Sequence, residues 1–91
     1  MAIYVVLNLT GNPECYFEAE SPQKIAEYLG AEYSPEEDAL YFPPALFKQE
    51  GQRRIFRKGS LEIPTAFPNS GVTLKIRCIE PIKIPKDLTI F

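Results

Sequence analysis

The sequence predicts an α+β fold, mainly antiparallel β sheet, laid out as an open sheet or a small partly open barrel with one short helix. Three observations carry that expectation. Apolar residues recur at every second position through residues 2–9, 14–19 and 72–79, which is the period of a strand. Residues 21–30 alone carry convincing start and stop signals of a helix. A length of 91 residues with nine prolines leaves room for one core and stiff connections, so residues 1–91 read as a single compact domain.

In residues 2–9, Ile3, Val5, Leu7 and Leu9 alternate with Tyr4, Val6 and Asn8. The second set is also largely apolar, so this strand is expected to be covered on both faces. Thr10, Gly11, Asn12 and Pro13 make a turn, because glycine and asparagine accept positive φ and the residue before proline is pushed out of the helical region. Cys15, Phe17 and Ala19 then face one way and Glu14, Tyr16 and Glu18 the other, completing a hairpin. Ser21 suits the N-cap of a helix, and Pro22 at the first helical position loses no needed donor. Ile25, Ala26, Tyr28 and Leu29 share an apolar face and Gly30 ends the helix. At about two turns it must be held by packing.

Residues 31–42 read as a second hairpin around Ser34-Pro35-Glu36-Glu37-Asp38, with a helix capped by Ser34 and Glu37 as the alternative. Pro43 and Pro44 end either structure. Residues 45–51 are expected to be irregular, residues 52–58 a strand, and residues 61–63 a strand stopped by Pro64. Residues 65–71 form a long turn. In residues 72–79, Val72, Leu74, Ile76 and Cys78 are assigned inward and Thr73, Lys75 and Arg77 outward. Pro81 and Pro85 bracket an edge strand or extended arm, and residues 88–91 suggest a docked apolar tail.

Charge is distributed unevenly. Residues 1–50 hold nine acids against Lys24 and Lys48, net −7, whereas residues 51–91 hold eight bases against Glu62, Glu80 and Asp87, net +5. The sharpest cluster is Arg53-Arg54-Ile55-Phe56-Arg57-Lys58, with Lys75 and Arg77 expected on a neighbouring strand. Such a platform could neutralise phosphates while Phe56, or a nearby tyrosine, stacks on a base. The plainer expectation pairs these bases with Glu14, Glu18 and Glu20 or uses them to guard an edge. Tyr41, Phe42 and Phe47 flank Pro43 and Pro44 in an aromatic-proline loop, either a protein-binding surface or a lid on the core.

Catalytic chemistry finds little support. The chain has no histidine and two cysteines, too few for an ordinary zinc site or an activated thiol. Cys15 and Cys78 read as small core hydrophobes. Glu36, Glu37 and Asp38 lack the spacing of a calcium loop, and the same acids bar a DNA-reading second helix. No glycine elbow surrounds a serine and no phosphate-cradling glycine pattern occurs. No catalytic residue, metal or cofactor is therefore expected. Without a signal-peptide pattern or a run of about 20 apolar residues, the chain reads as cytoplasmic, reduced and without a membrane partner. The favoured role is a small non-enzymatic interaction module, a subunit, adaptor or inhibitor, docking a protein through a charged β face and the aromatic-proline loop. Self-association through an edge strand is compatible with it. The alternatives are single-stranded nucleic-acid binding on the basic strand, and binding of a small anion or nucleotide between helix and basic strand. The sequence pI of about 5.1 weighs against a polyanion.

Overall fold

A computed structural model describes residues 2–65 and 70–79. Strand β1 (Ala2–Leu7) forms a hairpin with β2 (Pro13–Ala19), helix α1 (Pro22–Leu29) follows, and β3 (Glu32–Ser34) forms a second hairpin with β4 (Ala39–Phe42). A single 3-10 turn (Pro44–Leu46) leads into β5 (Lys48–Glu50), β6 (Arg53–Lys58) and β7 (Leu61–Thr65), and β8 (Val72–Ile79) is the last described strand. Their order is β2-β1-β8-β4-β3 in a five-stranded sheet and β5-β6-β7 in a three-stranded one. Every pairing is antiparallel. The fold is α+β and mainly sheet, as expected, and among the described residues the sheets do not close into a barrel.

Register explains the core. Tyr4 faces Phe17 and Val6 faces Cys15 across β1 and β2, Val6 faces Ile76 across β1 and β8, and Leu40 faces Leu74 across β4 and β8. These side chains share one face of the five-stranded sheet. Ile25, Ala26 and Leu29 of α1 and Phe56, Leu61 and Ile63 of the smaller sheet complete the same cluster. On the opposite face, Ile3, Val5, Leu7 and Tyr16 form a second buried cluster. Strand β1 is thus apolar and buried on both faces, as its sequence implies.

Local chemistry sets the element ends. The Ser21 hydroxyl accepts the Lys24 N–H at 3.4 Å, and Gly30 closes α1 at φ 78° with its N–H on the Ala26 carbonyl. Tyr28, expected on the apolar face, stays half exposed. Strand β1 stops at Leu7, not at Leu9, because the Asn8 side chain accepts from the Thr10 and Asn12 amides, both at 3.0 Å, and draws the chain into its turn. Residues 32–42 form the hairpin, with Ser34 opposite Ala39, and not a second helix.

Three local expectations are corrected. Residues 45–51 are not wholly irregular: β5 pairs with β6, although all three of its residues are exposed and supply no apolar period. Strand β7 continues through Pro64, which faces Ile55. The strand lies at an edge, where a missing N–H need cost no ladder bond. Cys78 is exposed, for a reason that lies in the site described below. The proline-bracketed arm, the apolar tail and most of the 65–71 turn fall outside the described residues.

Close packing where β8 begins gives a direct test. A Cβ on Gly71 would lie 2.5 Å from the Phe42 carbonyl oxygen and 2.6 Å from Tyr41 ring atoms. Gly71→Ala is expected to lower stability by about 1–3 kcal/mol in denaturant unfolding, whereas Leu9→Ser, at a position 78% exposed, should stay within about 0.5 kcal/mol.

Candidate functional site

The structure separates the expected basic platform into two parts. Strand β6 pairs with β5 and β7, whereas β8 pairs with β1 and β4, so Lys75 and Arg77 do not lie on a strand neighbouring the arginine run. Within that run most of the charge is engaged locally. Arg54 donates to the carbonyls of Phe47 at 2.8 Å and Pro44 at 3.3 Å, tying β6 to the proline loop. Arg57 is held between Glu50 and Glu62, and those hydrogen bonds, Glu50 first, raise its pKa above the ordinary arginine value. Lys58 lies 4.5 Å from the centre of the Tyr28 ring. Arg53 remains exposed opposite Glu50. The neutralising acids come from the flanking strands β5 and β7, not from Glu14, Glu18 or Glu20 as expected.

The aromatic expectations are corrected as well. Phe42, Phe47 and Phe56 are buried, with ring centroids of Phe42 and Phe47 5.5 and 6.2 Å from that of Phe56. They serve as core, and Phe56 cannot stack on a base without leaving it. Strand alternation leaves Tyr41 outward and 38% exposed. The cavity beside α1, about 280 Å³, is lined by Phe17, Glu18, Lys24 and Tyr28 among others and by no β6 cation. Its one lysine already lies 3.6 Å from Glu27.

A different site emerges from the way β8 meets its neighbours. Residues 72–75 pair with β4 and residues 76–79 with β1. Each half of β8 therefore outruns one neighbour, and a cavity lies at each gap. At the β1 gap, Leu9, Ile63, Val72 and Leu74 line about 330 Å³. The two carboxylates there, Glu14 and Glu62, already contact Asn8 at 3.4 Å and Arg57 at 3.1 Å respectively.

At the β4 gap the cavity is larger, about 540 Å³, with a mixed polar and apolar lining. The β3–β4 turn closes one end: the backbone carbonyl of Asp38, a residue held at φ 50°, accepts the Ile76 N–H at 2.9 Å. Backbone groups of a strand alternate sides, so the Cys78 N–H points the same way as that of Ile76, past the end of β4. Tyr4, Tyr33, Ile76 and Cys78 border the gap toward the core face, and Lys75 and Arg77 border it toward the other. Lys75 donates to the Glu37 carbonyl at 2.8 Å. Among the described residues neither Lys75 nor Arg77 forms an ion pair. The Tyr4 hydroxyl is pushed above its ordinary pKa, first by burial and then by Cys78 and Tyr33. Cys78 follows the inward alternation of β8, but no described strand covers it here, which explains its exposure.

Sequence reasoning missed Tyr4 and Tyr33 as site residues, because their approach depends on three strands distant in sequence. No described helix is long and apolar enough to cross a membrane. No protein-family model, curated protein or solved structure matches the chain, so the geometry carries the functional reading.

The two thiols should behave differently. In the native protein at pH 8 an aromatic disulfide reagent is expected to modify Cys78 quickly and Cys15 only on unfolding, with the fast phase absent in Cys78→Ala. Burial raises the Cys15 pKa, partly offset by contacts with Ser60 and Tyr16. The unfolded chain then ionises first, so this contribution to stability is intact below the ordinary thiol value and is lost as pH rises through it toward the folded value. Denaturant unfolding of wild type and Cys15→Ala between pH 7 and about pH 10 should show the steeper decline in wild type.

Proposed function

We propose that the protein is a small non-enzymatic interaction module that receives an extended segment of a protein partner along the edge of β8 that no described strand pairs with beyond Lys75. The single observation behind this reading is that β8 outruns β4 and directs the Cys78 N–H into a cavity bordered by two cations. An added strand draws affinity from main-chain hydrogen bonds and specificity from alternate side chains. The described edge covers only Arg77–Ile79, so side-chain contacts with Tyr4, Tyr33, Lys75 and Arg77 must supply much of the interaction. Two free thiols favour a reducing, cytoplasmic setting. The buried Phe56 and the local pairing of Arg57 give nucleic-acid binding on β6 less support, and the helix-side cavity gives anion binding there less support.

The test removes one backbone donor. Extended peptides enriched from a random display library on the native protein are expected to bind Cys78→Ala with unchanged affinity and to bind Cys78→Pro at least tenfold more weakly. Circular dichroism and thermal midpoint monitor folding of both variants. Methylating the backbone nitrogens of alternate residues in an enriched peptide gives the same test without altering the protein. Undiminished binding of the methylated peptides in every register, or failure to enrich any peptide, overturns the reading.

A further inference from the structure

Resting on that edge-docking reading, we infer that the partner segment is an extended strand in which an acidic residue stands next to an apolar one. The two faces of the sheet differ sharply at the edge. A strand added beside β8 must alternate its side chains in phase with its neighbours. The residue opposite Arg77 then points to the face carrying Lys75 and Arg77, and the residue opposite Cys78 points to the face carrying Tyr4 and Tyr33. Register fixes these faces: Arg77 pairs with Val5 and Lys75 with Ala39, whereas Cys78 pairs with Tyr4 and Tyr33 pairs with Leu40.

A carboxylate opposite Arg77 would be its direct cross-strand neighbour and diagonal to Lys75, roughly 5 and 7–8 Å away between β carbons. Both cations lack an ion pair among the described residues, so the incoming carboxylate displaces no described carboxylate, and Lys75 need share only its hydrogen bond to the Glu37 carbonyl. The turn acids restrict where it can sit. Glu37 and Asp38 border the closed end of the cavity and repel a second carboxylate there, which favours one acidic residue at the Arg77 position over a run of acids. On the other face, two tyrosine rings and the half-apolar lining suit a valine- or leucine-sized side chain.

Three dye-free pentapeptides, acetylated and amidated, make the test: Thr-Val-Glu-Val-Thr and the same sequence with Gln or Lys at its centre. Each is titrated into ¹⁵N-labelled protein and followed by amide chemical shift. The glutamate peptide is expected to move the Tyr4, Arg77 and Cys78 amides and to bind about two- to fivefold more tightly than the glutamine peptide, with the lysine peptide weakest. In the K75E/R77E double variant the order should invert. Equal affinities at the same amides would overturn the acidic preference while leaving edge docking intact. No shift at those amides from any peptide would overturn both. Concentration-dependent dimerisation seen by sedimentation, with the same amides protected, would assign the edge to a second copy and likewise overturn the inference.

Discussion

Antiparallel pairing of β8 with two neighbours that meet different halves of it governs both the core and the surface. Residues 72–75 are joined to β4 and residues 76–79 to β1, so a single eight-residue strand bridges two hairpins that otherwise do not pair. The stagger keeps Val72, Leu74 and Ile76 on one buried face. It also leaves β8 longer than either partner on one side. A cavity lies at each of these two ends, which makes the pair products of one geometric mismatch.

The small sheet is fixed to the large one by the Phe42, Phe47 and Phe56 rings and by Arg54 reaching the Phe47 and Pro44 carbonyls. This arrangement accounts for an arginine-rich strand in a chain of net charge −2. One guanidinium fastens a loop, and a second bridges carboxylates on both flanking strands. Exposed ion pairs of this kind contribute little to stability and weaken with salt. Their consequence is to tie Arg57 to both flanking strands, whereas among the described residues Lys75 and Arg77 of β8 form no ion pair.

Much of this was legible in the sequence where the determining interaction is local. The Ser21, Pro22 and Gly30 signals bound α1, and period-two alternation assigns the faces of β1, β2 and β8. Alternation even places Cys78 on the same face as Ile76. It cannot tell that β4 begins only at Ala39, opposite Lys75, and so it cannot foresee that Cys78 is uncovered. The same gap in information misplaced Lys75 and Arg77 beside β6 and sought the partners of Arg57 in Glu14, Glu18 and Glu20. Period specifies a face; the identity and length of the neighbouring strand are long-range facts. Strand β5 escaped for the opposite reason, since its exposed residues carry no periodic signal at all.

The overall and local charges act over different ranges. At physiological ionic strength, screening reduces interactions beyond about 8 Å. A long polyanion spans many such lengths and must meet the acidic surface of a molecule with pI about 5.1. A short segment that settles in the β4 gap meets Lys75 and Arg77 at close range, within partly apolar walls that weaken screening. The net negative charge therefore opposes nucleic acid without opposing a single carboxylate delivered on an extended backbone. Local cations on a globally acidic molecule favour a compact, singly charged contact whose orientation is set by the strand edge.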